Sequence, residues 1–187
     1  MEREIVKYGA KILRRKCSPV KEMDGEVQTL IQDLFDSMHA ADGVGLAAPQ
    51  IGELLRVVVI DVSGQEPEHP PVALINPRIV GASGSVVGEE GCLSFPGLYG
   101  DVERHAVVEV EAMDARGAPL RFTAEGFYAR ALQHEIDHLD GQLFIDLLSP
   151  LKRQLLRGAL KRLRKEGEAW DRAHGASDRR RGKQHRY

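Results

Sequence analysis

Gln133-His134-Glu135-Ile136-Asp137-His138-Leu139-Asp140-Gly141, QHEIDHLDG, holds the one arrangement in this 187-residue chain that chemistry can use directly. On a helix, residues four apart rise on one face about one turn from each other, so His134 and His138 can aim imidazole nitrogens at a common metal ion. Two of four tetrahedral positions are then filled. Glu135 projects beside the metal, where a carboxylate can take a proton from a bound water without being a ligand. The stretch predicts a metal helix, hydrolytic chemistry and a third ligand supplied from elsewhere.

Working outward, this helix begins near residue 125 and is expected to bury Phe127, Ala131, Leu132 and Leu139. A short strand precedes it at 120–123. Residues 98–113 alternate well at their end, with Val108, Val110 and Ala112 on one face and Glu109 and Glu111 on the other. RVVVIDV, within 54–62, is a continuous β-branched strand, and 72–76 is another beyond a polar, proline-rich loop. In residues 26–41, Val27, Leu30, Ile31, Leu34, Phe35 and Met38 recur at three and four, which predicts a helix laid against a core. GVGLAAPQ, Gly43 to Gln50, is too small and glycine-rich for ordinary helix or strand, and lets another chain come close. Residues 1–23 read as an irregular arm with one helical turn at 10–16, and say little about function. Ser149-Pro150 starts a last helix, with Leu151, Leu155, Leu156, Ala159, Leu160 and Leu163 on one side. The fold class is α+β, with antiparallel β-sheets packed around a central metal-binding helix and a C-terminal helix. Residues 1–165 form one catalytic domain in this reading, and 166–187 a basic, disordered tail.

A hydrophobic content of 42% suits a single core. Two cysteines, Cys17 and Cys92, are too few for a disulfide framework and point to a reducing compartment. No apolar run reaches the length of a membrane span, so a soluble cytoplasmic protein is expected. The net charge of -2 hides an asymmetry: after Pro150 come thirteen Lys and Arg against four Asp and Glu. Such a segment suits a polyanionic partner or simple solvation.

Glu90-Gly91-Cys92-Leu93-Ser94 supplies the candidate third ligand, a thiolate, although a lone cysteine equally reads as a small buried hydrophobe. Asp137 cannot point the same way as both histidines, and a salt bridge with Arg104 is expected of it. Tyr99, Trp170, His39, His69, His105, His174 and His185 read as core, surface or tail residues.

Taken in order, GVGLAAPQ, EGCLS and QHEIDHLDG resemble the three motifs of the peptide deformylases, and the likeness runs from the N-terminal arm through the helix after Ser149. It implies hydrolysis of the N-formyl group from the formyl-methionine of nascent polypeptides, with release of formate. Cys92, His134 and His138 would hold one divalent metal, ferrous iron with zinc, nickel or cobalt as replacements, and leave a fourth position for water. Glu135 would be the general base, and the Gln50 side-chain amide and Leu93 N–H would meet the oxyanion. Val44, Gly45, Phe127 and Ala131 would wall the methionine side chain, with backbone at Gly45 free to pair with an extended peptide. The implied partners are the nascent formyl-methionine polypeptide and, through the basic helix and tail, the ribosome, with no membrane. Two departures stand out: Gly88, where the family often has a bulkier apolar residue, and Arg130, one turn before His134. Apart from the resemblance, HEIDH also suits a zinc endopeptidase, against which EGCLS speaks, or a structural-zinc module on the ribosome.

Overall fold

The valine run VVVI becomes a strand, Val57–Ile60, whose four residues are all buried. Its lack of polar alternation has a direct cause, since Val58 and Ile60 enter one apolar cluster and Val57 and Val59 another, on the opposite face. A computed structural model of the chain describes residues 1–174. In chain order the elements are α1 (Gly25–Ala40), β1 (Gly45–Ala47), β2 (Val57–Ile60), β3 (Val72–Ser83), β4 (Val86–Gly91), β5 (Tyr99–Arg104), β6 (Val107–Met113), β7 (Pro119–Glu125), α2 (Gly126–Leu139) and α3 (Pro150–His174). Single 3-10 turns lie at Lys11–Arg14, Ala48–Ile51 and Phe144–Asp146.

Five strands form one antiparallel sheet in the order β1-β2-β3-β6-β7, and β4 and β5 form a separate two-stranded sheet. The expected fold class is the observed one: α2 packs its Ala129, Leu132 and Ile136 with Val58 and Ile60 of the large sheet, and α1 covers Val57 and Val59 with Leu30, Leu34 and Met38. Asp24 accepts a hydrogen bond from the Val27 N–H at 2.9 Å and starts α1 one residue before the expected position. At the other end of the chain, Ser149 Oγ accepts from the Lys152 N–H at 3.2 Å, as a serine before Pro150 should.

Several expectations are corrected. Residues 45–47 are a strand after all, paired with β2 in the register Gly45 with Ile60. The stretch 98–113 is two strands in different sheets. Leu151 and Leu155 point outward, 69% and 73% exposed. The last helix also does not stop near Glu166 but runs to His174, because Gly167 and Trp170 continue the packed stripe of Leu160 and Leu163. A glycine carries no hydrophobic signal, so that continuation was hidden in the sequence. A Cβ at Gly167 would sit 2.6 Å from the Lys7 carbonyl oxygen, and the Asp171 carboxylate accepts from the Lys11 N–H at 3.1 Å. The remainder of the expected tail, 175–187, lies outside the described residues.

The same substitution should therefore have opposite signs at two glycines of α3. Gly158 is exposed with nothing within 4 Å of an added Cβ, so Gly158→Ala should stabilise by about 0.5–1 kcal/mol through helix propensity. Gly167→Ala should destabilise by more than about 1 kcal/mol, because the arm's backbone must move. Urea denaturation of both variants measures the pair, and a shift of the same sign would refute the packing argument.

Candidate active site

The α2 helix is anchored at its start and at its middle before any chemistry is considered. At its start the Glu66 carboxylate accepts from the Phe127 and Tyr128 N–H groups at 2.8 and 3.0 Å, a cap from a distant loop that sequence reading missed. Farther along, Gln133 accepts from the His105 N–H at 3.0 Å and donates to the His105 carbonyl at 2.9 Å, gripping the link between β5 and β6. The glutamine of the QHE stretch thus sets the roll of the helix.

On the helix so fixed, His134 and His138 meet Cys92, which follows the end of β4. Donor atoms of Cys92, His134 and His138 all lie within 4.8 Å of one another. Cys92 Sγ is 3.3 Å from His138 Nε2. His134 Nδ1–H donates to Glu90 at 3.0 Å, which fixes the ring and leaves Nε2 for the cluster. Burial works against a charged His134, yet hydrogen bonds with Cys92 and Glu90 outweigh it and hold this imidazole well above its ordinary pKa. His138 is pushed well below, by burial first and then by His134. A borderline-soft divalent metal fits this thiolate and two imidazoles.

Behind His134, Glu90 takes four donors on two oxygens. Oε1 accepts from Arg104 Nε and Arg130 Nη1, both at 2.8 Å, and Oε2 from Arg104 Nη2 and His134, both at 3.0 Å. Burial alone would raise this carboxyl, but the bonds from His134 and Arg104 prevail and hold it at about 2. Asp137 meets Arg104 at 2.6 Å, as expected. Sequence reading had not singled out Glu90, although it sits two residues before the cysteine.

The two departures, Gly88 and Arg130, turn out to be one feature. Arg130 reaches from α2 to the carbonyls of Val86, Gly88 and Val102 at 2.9, 3.3 and 3.0 Å. A Cβ at Gly88 would lie 3.0 Å from Arg130 Nη2, so the long side chain takes the room that the short one leaves.

Glu135 has the opposite surroundings from Glu90. It is buried, its Oε2 has no hydrogen-bond partner among the described residues, and burial pushes its carboxyl up to about 7. A Cβ at Gly45 would overlap Glu135 Oε1, so the glycine first makes room for the enzyme's own carboxylate. Gln50 is buried with its Oε1 accepting from the Ala47 N–H at 2.8 Å, which fixes the amide and turns Nε2 toward Ser94 Oγ at 3.2 Å and Cys92 Sγ at 3.4 Å. Leu93 follows Cys92 in the turn after β4 and packs partly buried against the α1 cluster. Ala131 belongs to the buried cluster between α2 and the large sheet, and Val44, half-buried, packs against that cluster. Phe127, expected to be buried, is 36% exposed, because its place in the first turn of α2 leaves it at the rim.

Comparison with known proteins agrees with this geometry. The polypeptide deformylase family profile matches residues 2–154. The peptide deformylase of Thermodesulfovibrio yellowstonii is 46% identical over 158 residues, 84% of this chain and 96% of that one. Among solved structures, a peptide deformylase from Legionella pneumophila superposes with a TM-score of 0.81 at 47% identity, covering 88% of this chain and 96% of its own. The Thermus thermophilus enzyme does so with a TM-score of 0.81 at 42% identity, covering 88% and 99%. With the family profile spanning most of the chain and relatives this similar matching nearly their whole length, the chain belongs to the peptide deformylases.

Proposed function

We propose that this enzyme removes the N-formyl group from the formyl-methionine of nascent polypeptides with Cys92, His134 and His138 holding one divalent metal and Glu135 carrying the proton. The observation that carries the reading is the convergence of those three donors within 4.8 Å, from β4's end and one face of α2. A divalent metal, when bound there, supplies the Lewis acidity that acidifies water and polarises the formyl carbonyl.

Glu135 then works as the base, taking the proton of the attacking water and delivering it to the departing amine. Its burial raises the carboxyl's proton affinity, which suits a group that must accept and release within one cycle. Charge developing on the formyl oxygen would be met by the Gln50 amide, already turned toward Cys92, and by the Leu93 N–H, which has no acceptor among the described residues. The peptide itself would lie along β1, an edge strand whose open side can pair with an extended chain. Val44, Gly45, Phe127 and Ala131 would then wall the methionine side chain, with Phe127 at the rim.

Ferrous iron is our reading for the metal, with zinc, nickel or cobalt able to use the same donors. The free thiols Cys17 and Cys92 accord with a reducing compartment, the cytoplasm, and among the described residues no helix is long and apolar enough to cross a membrane. A ribosome contact through α3 is supported by its exposed Arg153, Arg157, Lys161, Arg162 and Lys165.

Glu135→Ala should keep its metal, since all three donors remain, yet lose turnover by at least about a hundredfold. Metal content measured beside formate release decides this, and a near-parental rate would reassign the base.

Air should inactivate the iron form and spare the nickel form, with mass mapping placing added oxygen on Cys92. Cys17 should escape, being buried with its thiol pushed up to about 11, chiefly by burial. Equal air stability of the two forms would count against iron.

Co-sedimentation with ribosomes should fall steeply as salt rises, each neutralised phosphate releasing counterions. Replacing Arg153, Arg157, Lys161 and Lys165 by Gln should flatten that slope and leave hydrolysis of a short formyl-methionine peptide unchanged. An unaltered slope would make the basic face a solubilising surface only.

A further inference from the structure

The N-terminal arm, which carries no motif, touches the catalytic loops at three consecutive residues. The Val6 N–H donates to the Gln50 carbonyl at 2.8 Å and the Tyr8 N–H to the Ser94 carbonyl at 3.0 Å. Between them, Lys7 Nζ donates to the Leu93 carbonyl at 3.1 Å. The arm thereby bridges the two segments that carry the oxyanion donors, which also meet each other through Gln50 Nε2 and Ser94 Oγ at 3.2 Å.

We propose that Lys7 is a positioning residue for deformylation, its ammonium holding the backbone at Leu93 so that the Leu93 N–H and the Gln50 amide face one oxyanion position. The proposal rests on the roles read above for Gln50 and Leu93. A lysine surrenders roughly 2 kcal/mol of rotamer freedom when fixed, and this one forms no ion pair among the described residues. What it holds is a peptide plane in the turn where Phe95 N–H donates to the Cys92 carbonyl at 2.8 Å. With Leu93's carbonyl held by a charged donor and Ser94's by Tyr8, the torsions that aim the Leu93 N–H are fixed from the next two carbonyls.

The arm can act as a post because it is itself pinned. Toward its start, the Arg3 N–H donates to Ser37 Oγ at 2.8 Å and its guanidinium meets Asp33 at 3.2 Å. Beyond Lys7, Gly9 lies against the Arg164 backbone and Gly167 against the backbone of residues 7–10, so α3 backs the arm on the side away from the site. The direct sensitivity of catalysis to this geometry is high, since sub-ångström misplacement of a donor is felt in the transition state and hardly in the bound substrate.

The test uses the full, metal-loaded chain with a short formyl-methionine peptide, comparing Lys7→Met, Lys7→Arg and Gln50→Ala. Lys7→Met should lower kcat about tenfold while KM stays within about twofold and metal per chain and thermal midpoint stay at parental values. Lys7→Arg, which keeps a charged donor, should recover about half of the lost rate or more. Parental kcat in Lys7→Met beside a crippled Gln50→Ala would overturn the role of Lys7 alone. Parental kcat in both would overturn the oxyanion reading beneath it. Loss of metal or of thermal midpoint in Lys7→Met, without recovery in Lys7→Arg, would reduce the lysine to a brace of the fold.

Discussion

One buried carboxylate, Glu90, governs where the metal donors stand. An ionised carboxylate out of water is costly unless its lone pairs are filled, and Glu90 fills them with Arg104, Arg130 and His134. Those partners come from β5 and α2, while Glu90 itself is on β4. The pairing therefore cannot form unless the two-stranded sheet lies against the metal helix in this register. Cys92, two residues beyond Glu90, is delivered to the histidines as a consequence. Two carboxylates, Glu90 and Asp137, face two guanidinium groups, Arg104 and Arg130.

Two buried glutamates show how surroundings divide roles. Glu90, supplied with donors, is held at about 2, and Glu135, short of them and shut in by Gly45, rises to about 7. Burial acts the same way on both, so the difference is hydrogen bonding. The first is a fixed anion that orients a ligand. The second is the group proposed as the base, its carboxyl raised by burial. Because Glu135 neighbours His134 in sequence, α2 presents the ligand and the base on adjoining faces of one helix, with no loop between them to loosen their spacing.

Much of this was legible in the residues. The i, i+4 histidines, the apolar stripe of α1 and the Ser149-Pro150 start each report a local rule, and each appears as read. The ordered motifs also named Cys92 as the third donor, which spacing alone could not do. What stayed hidden is set by tertiary contact. VVGEEG at 86–91 carries two glycines and two acids, so its β-strand is made by pairing with β5 and by the bonds of Arg130 to its carbonyls, not by propensity. Glu66 caps α2 from sixty-one residues away. The extension of α3 and the bonding of Val6, Lys7 and Tyr8 depend on glycine contacts and backbone groups, which leave no trace in a hydropathy pattern.

Three glycines then explain one another's neighbours. Gly45 stands where Glu135 needs space, Gly88 where Arg130 does, and Gly167 where the arm crosses α3. In each case the missing side chain is matched by a particular partner, so the site is shaped as much by what is left out as by what is supplied. Arg130 fills the space beside Gly88 between β4 and α2 and serves there as a charged clamp on Glu90. Total volume can be conserved by moving it across an interface, which cores tolerate far better than adding or removing it on one side. The clamp also donates to the Val86 and Gly88 carbonyls of β4 and to the Val102 carbonyl of β5, tying both strands to α2. A large residue at Gly88 would therefore overlap the Arg130 guanidinium, and a small one at Arg130 would leave Glu90 Oε1 with Arg104 Nε as its one side-chain donor among the described residues.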